Sequence, residues 1–168
     1  MIFCELKCYF VCQINNLFKI NLFILFILII NYQVWGYENI KQSYPSPDLK
    51  ANEIVMIQLN AMKQNDQTNK GIEITFRFAS PKNKIQTGPL SRFITLVNNP
   101  AYSPLLNHLD STFLDLIING NQAIQEVIIT TAKGSIKGFR FFLSLQEDNE
   151  FKGCWMTDAV MPFKIVDA

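Results

Sequence analysis

His108, Asp158 and Tyr102 are the side chains with which this sequence could run acid–base chemistry. His108 is the single histidine, and an imidazole titrating near neutrality suits proton transfer. Beside Pro104-Leu105-Leu106 it equally suits a structural task, orienting its loop by hydrogen bonding, and that reading outweighs the catalytic one. Asp158 follows Trp155-Met156-Thr157, so one reading is a carboxyl group held in apolar surroundings as an acid. The favoured alternative has it tying down a backbone group or a hydroxyl such as that of Thr157. Arg77 and Arg140 stand among phenylalanines, in Phe76-Arg77-Phe78 and Phe139-Arg140-Phe141-Phe142, and with Trp155 they form the candidate binding set. A guanidinium offers a rigid fork of donors to an anionic ligand. More often such an arginine pairs with a carboxylate at a sheet edge. Cys154 as a nucleophile would need a base or a helix N-terminus to stabilise its thiolate, and a buried, inert side chain is the better reading. No His and Cys set at zinc spacing is present, so neither a metal nor a cofactor is expected.

These residues need elements to hold them. Ser46-Pro47-Asp48 offers a capping hydroxyl, a proline suited to a first helical turn and an early acid. Val55, Leu59 and Met62 then recur at helical spacing, which predicts a helix to about Gln64. Residues 72–78 alternate as a strand would, yet Ile72, Phe76 and Ala79 also share a helical face. Pro81 and a loop over 82–88 close that element, and Leu90, Phe93, Leu96 and Val97 mark a further short helix ending near Asn98-Asn99-Pro100. From Thr112 the period becomes two, predicting strands over 113–119, 123–131, 135–146 and 154–165. Asn119-Gly120-Asn121 and Ala132-Lys133-Gly134 sit where tight turns belong. Alternation puts Cys154, Met156 and Asp158 on one strand face, with Trp155 and Thr157 on the other. The expected fold class is α+β: two to three helices packed on a curved antiparallel sheet of about four strands, in one domain over 48–165 after a polar leader, 37–47.

The chain before that domain reads as an address. The apolar run 22–30 follows Lys19 and precedes Val34-Trp35-Gly36. It is short of the about 20 apolar residues a membrane span needs, and within the roughly 7 to 15 of a signal-peptide core. Residues 1–36 are therefore read as a signal peptide cut after Gly36. Cys4, Cys8 and Cys12 would line one helical face, but residues 1–16 are better explained as a mis-assigned start, with translation beginning at Leu17. If cleavage fails, residues 17–35 become an anchor, the one expected link to a membrane.

The segments Phe76-Arg77-Phe78-Ala79-Ser80-Pro81, Thr87-Gly88-Pro89-Leu90, Arg92-Phe93, Tyr102-Ser103-Pro104-Leu105-Leu106-Asn107-His108 and Gly153-Cys154-Trp155-Met156-Thr157-Asp158 carry a resemblance. In this order they resemble the group described as domain of unknown function 4864, associated with cyanobacteria, other bacteria and photosynthetic eukaryotes. The resemblance spans about residues 49–162. It implies a cone-shaped fold similar to the nuclear transport factor 2 superfamily, with helices over a strongly bent sheet, and so favours helix for 72–79. It implies no activity. The compartment it suggests for an exported chain is the periplasm or, in a cyanobacterium, the thylakoid lumen; in an alga the same segment would start a route to the plastid.

Charge narrows the partners. Past residue 36, 13 basic and 13 acidic residues balance, and only Lys82 and Lys84 stand close together, so nucleic acid is not an expected partner. Cys154 is the one cysteine of that part, so no internal disulfide supports the fold. Two functions are weighed. The preferred one is an exported, non-catalytic module that holds a small apolar ligand or a protein partner. The alternative is a small acid–base enzyme, of isomerase or hydratase type, using His108, Asp158 or Tyr102 inside the cone.

Overall fold

Residues 40–148 and 150–165 are described by a computed structural model. The expected export segment 1–36 with its cut after Gly36, the expected start at Leu17, the alternative anchor 17–35 and Cys4, Cys8 and Cys12 lie outside the described residues. The domain is α+β. Among the described residues from Ala51 on, four α-helices come first, α1 (Ala51–Lys63), α2 (Lys70–Arg77), α3 (Pro81–Thr87) and α4 (Leu90–Val97). A 3₁₀ turn, Ser103–Leu105, leads into strands β1 (Asp110–Asn119), β2 (Gln122–Thr130), β3 (Ile136–Leu145) and β4 (Trp155–Phe163). The strands form one open antiparallel sheet in sequence order.

Local chemistry explains the boundaries. Helix α1 begins at Ala51, one turn later than Ser46-Pro47-Asp48 suggested, because the Ser46 oxygens are used in a turn that ends at Leu49. The Glu53 carboxylate instead accepts the Lys50 backbone N–H at 2.7 Å and closes the first turn of the helix. Residues 72–78 are helical. The buried positions of this segment are Gly71, Ile72, Ile74, Thr75 and Phe78, a spacing of three and four that no strand provides. Where a loop was expected over 82–88, the chain forms α3. Ser80 Oγ accepts the Asn83 N–H at 3.2 Å and Pro81 occupies the first turn, where its missing N–H costs nothing.

The core lies between the helices and one sheet face. Ile54, Val55 and Leu59 of α1 and Ile72 and Ile74 of α2 are buried with Val127, Ile129, Phe139, Phe141 and Leu143 of the central strands. Phe78, Phe139 and Phe141 are among the largest fully buried side chains, each worth about 1.5 to 3 kcal/mol. Gly120 at φ 57° and Gly134 at φ 79° take the left-handed conformation that their hairpin turns require. Two register shifts bend the sheet, one in β1 between Phe113 and Leu116, and one where Phe142 pairs with Ala159 but Leu143 with Thr157. The second leaves Asp158 as the extra, unpaired residue of a bulge. Beyond β4, Ala79 forms an isolated parallel bridge to Thr157, so the chain entering α3 covers part of that sheet edge. Among the described residues, no helix is long and apolar enough to cross a membrane.

Candidate functional site

Thr157 organises the interior beside β4. Its backbone N–H donates to Phe78 O at 2.9 Å, and its carbonyl accepts from Ser80 N at 2.9 Å and Asn83 Nδ2 at 3.1 Å. Its hydroxyl donates to Gln58 Oε1 at 2.8 Å, and Gln58 Nε2 donates in turn to Thr75 O at 3.1 Å. Thr75 Oγ1 closes the set on Gly71 O at 2.9 Å. Gln58, Thr75, Asn83 and Thr157 are all buried, and each finds partners, so this polar network rigidifies the core without leaving orphaned groups.

Against this network lies a cavity of about 210 Å³ between α1, α3, α4 and β4. Met62, Phe93, Leu96, Val97, Leu105 and Phe141 supply most of its apolar wall. Asp158, Ala159 and Val160 line it from the strand, and Tyr102 from the segment after α4. Tyr102 OH donates to Val160 O at 3.1 Å, so its hydroxyl already holds the strand. The bulge decides the place of Asp158. Strict alternation would have given it the face of Met156; the extra residue breaks that alternation here, and Asp158 is among the residues that line the cavity. It makes no hydrogen bond to Thr157, whose hydroxyl is used by Gln58.

Of the acid–base candidates, the structure therefore brings Tyr102 and Asp158 to one cavity and places His108 elsewhere. His108 is 2% exposed. Its Nδ1–H donates to Leu105 O at 2.8 Å, while Nε2 is buried with no partner among the described residues. Burial holds its pKa below the ordinary histidine value, opposed by the Leu105 carbonyl, assisted by Lys63 and opposed again by Asp110. The sign of the linkage follows. As pH falls through the unfolded value near 6.5, the unfolded chain takes up a proton that the folded domain refuses, so stability is lost on acidification until the folded pKa is reached. The slope cannot exceed about 1.4 kcal/mol per pH unit. Urea unfolding of the full chain at pH 7 and pH 5.5 should show this loss, and His108→Asn, which keeps a donor near Leu105 and does not titrate, should lose less. Equal losses would show that His108 does not carry the effect.

The binding candidates sit apart from the cavity. Arg77 donates to Glu73 Oε1 at 2.7 Å and to Lys41 O at 2.8 Å, with its guanidinium 4.7 Å from the Tyr44 ring centroid. Lys70 first, then Arg77, hold the Glu73 carboxyl below the usual carboxylate range. Arg140 Nε donates to Glu126 Oε1 at 2.7 Å across the β2–β3 pair and lies over Phe163. Trp155 packs half-buried against the core. Cys154 is buried and unpaired, and burial pushes its thiol pKa up, away from the thiolate a nucleophile needs. Among the described residues, no cluster of His, Cys, Asp or Glu could hold a metal. Gln58 and Asn83 had not stood out in the sequence. Gln58 had left a signal: it occupies the position between Ile54 and Met62 on the buried stripe of α1, where an amide needs a partner.

An open α+β domain with an apolar, polar-edged cavity beside its last strand is the class that fold and site define. The sequence matches the family described as Domain of unknown function (DUF4864) over residues 46–162. The chain belongs to that family. No curated protein and no solved structure matches it significantly.

Proposed function

We propose that this domain is a non-catalytic binding module that holds a small, largely apolar ligand in the cavity beside β4. The observation that carries the proposal is the cavity itself, about 210 Å³ within an apolar wall. An engineered cavity of about 150 Å³ walled by Leu, Ile and Phe takes up benzene, so a space of this size with a largely apolar wall suits one aromatic ring with a short arm. Likeness to the nuclear transport factor 2 superfamily, in which helices close a cone over a bent sheet, belongs to the same proposal and is supported by the helix-on-sheet order and the two bulges. So does export, supported by the apolar run 22–30, to a periplasm or thylakoid lumen of a cyanobacterial type of host; anchorage by 17–35 and plastid targeting are the alternatives.

One observation favours the acid–base reading, the presence of Tyr102 and Asp158 in a single cavity wall. Against it, the Tyr102 hydroxyl is engaged by Val160 and His108 is outside. Toluene tests the binding reading on the full chain. At one hundred times its Kd a ligand adds about 2.7 kcal/mol of stability, which for a domain of this size raises Tm by roughly 10 °C. An unchanged Tm up to toluene saturation contradicts the proposal.

A further inference from the structure

We infer that the ligand is a cation: a compact apolar body of about one aromatic ring carrying a single ammonium group, which lies against the Asp158 carboxylate. The inference rests on the binding reading above and supplies the chemistry of the ligand's polar end. Asp158 is the one charged residue among the described residues that line the cavity. The other polar groups there are largely spent, since Gln58, Asn83, Thr157 and Tyr102 all hold protein partners. Asp158 has no hydrogen bond or ion pair among the described residues, and it is half-buried, so its carboxyl oxygens are left to water and open to a ligand donor. An ammonium placed there exchanges those waters for a charge-assisted hydrogen bond while its body fills the apolar space. A carboxylate ligand would meet repulsion, and a neutral one would gain from the walls alone. Asp158 is the extra residue of the bulge, and bulges of this kind commonly re-aim one side chain at a site.

Calorimetry with the full chain, using benzylamine, benzyl alcohol and phenylacetate as probes that share a benzyl body, tests this. In the parent protein benzylamine should bind about ten-fold more tightly than benzyl alcohol, and phenylacetate more weakly than both. Asp158→Asn, isosteric and confirmed as folded by near-UV circular dichroism, should abolish the preference for the amine and admit phenylacetate. Equal binding of amine and alcohol by the parent overturns the cationic ligand and leaves the binding reading standing. A preference that survives Asp158→Asn overturns the assignment to this carboxylate. Failure of every probe to bind removes the binding reading as well.

Discussion

Gly71→Ala is expected to destabilise the domain by about 3 kcal/mol, although alanine is the better helix former. A Cβ at this position of α2 would stand 2.1 Å from Ala61 O, 2.9 Å from Ala61 C and 3.1 Å from Asn65 Cα. All three are backbone atoms, so no side-chain rotation relieves the contact. Alanine in place of glycine gains about 0.8 to 1.0 kcal/mol of helix propensity. Overpacking against fixed backbone exceeds that gain, because α1 and α2 must separate and loosen Ile72, Ile74 and Thr75 from their burial. The same separation stretches the bonds from Gln58 Nε2 to Thr75 O and from Thr75 Oγ1 to Gln58 O, which cross this interface at 3.1 and 3.3 Å. Urea unfolding measures it. A variant within 1 kcal/mol of the parent would contradict the close approach of the two helices.

Gln58→Leu should cost about 2 to 3 kcal/mol, through what it leaves behind and not through lost volume. The buried Thr157 hydroxyl loses its acceptor, and the Thr75 carbonyl loses one of two donors, keeping only Phe78 N–H at 3.2 Å. Adding Thr157→Val to this variant removes the orphaned hydroxyl, so the double variant should recover about 1 kcal/mol. If the two substitutions simply add, the hydroxyl–amide bond does not couple α1 to β4, and the network has been assigned too much.

The sheet was legible because its chemistry is local. Ala123, Val127 and Ile129 and then Phe139, Phe141 and Leu143 recur at period two, and glycine turns separate the strands. Residues 72–78 were not decided by pattern, since Ile72, Ile74, Phe76 and Phe78 alternate while the helical stripe is completed by Thr75 and Gly71, neither of them a hydrophobic marker. Helix α3 is hidden in the pattern because Pro81, which opens its first turn behind the Ser80 cap, is equally a stop signal for the segment before it. The site was less legible than the fold. Tyr102 and Asp158 were candidates from their chemistry, but their meeting depends on a bulge, an extra residue whose presence no periodicity records. Gln58 and Thr157 are 99 residues apart in sequence, and only the packing of α1 on β4 joins them.

If the space between the helices and β4 accepts an apolar molecule, a methyl NMR titration of the full chain with toluene will show it. Shifts are expected to centre on the methyl groups of Val97, Leu105 and Val160, which line the cavity. Shifts confined to Ile117, Ile124 and Ile128, which alternation places on the other face of the sheet, or no shifts at all, would contradict it.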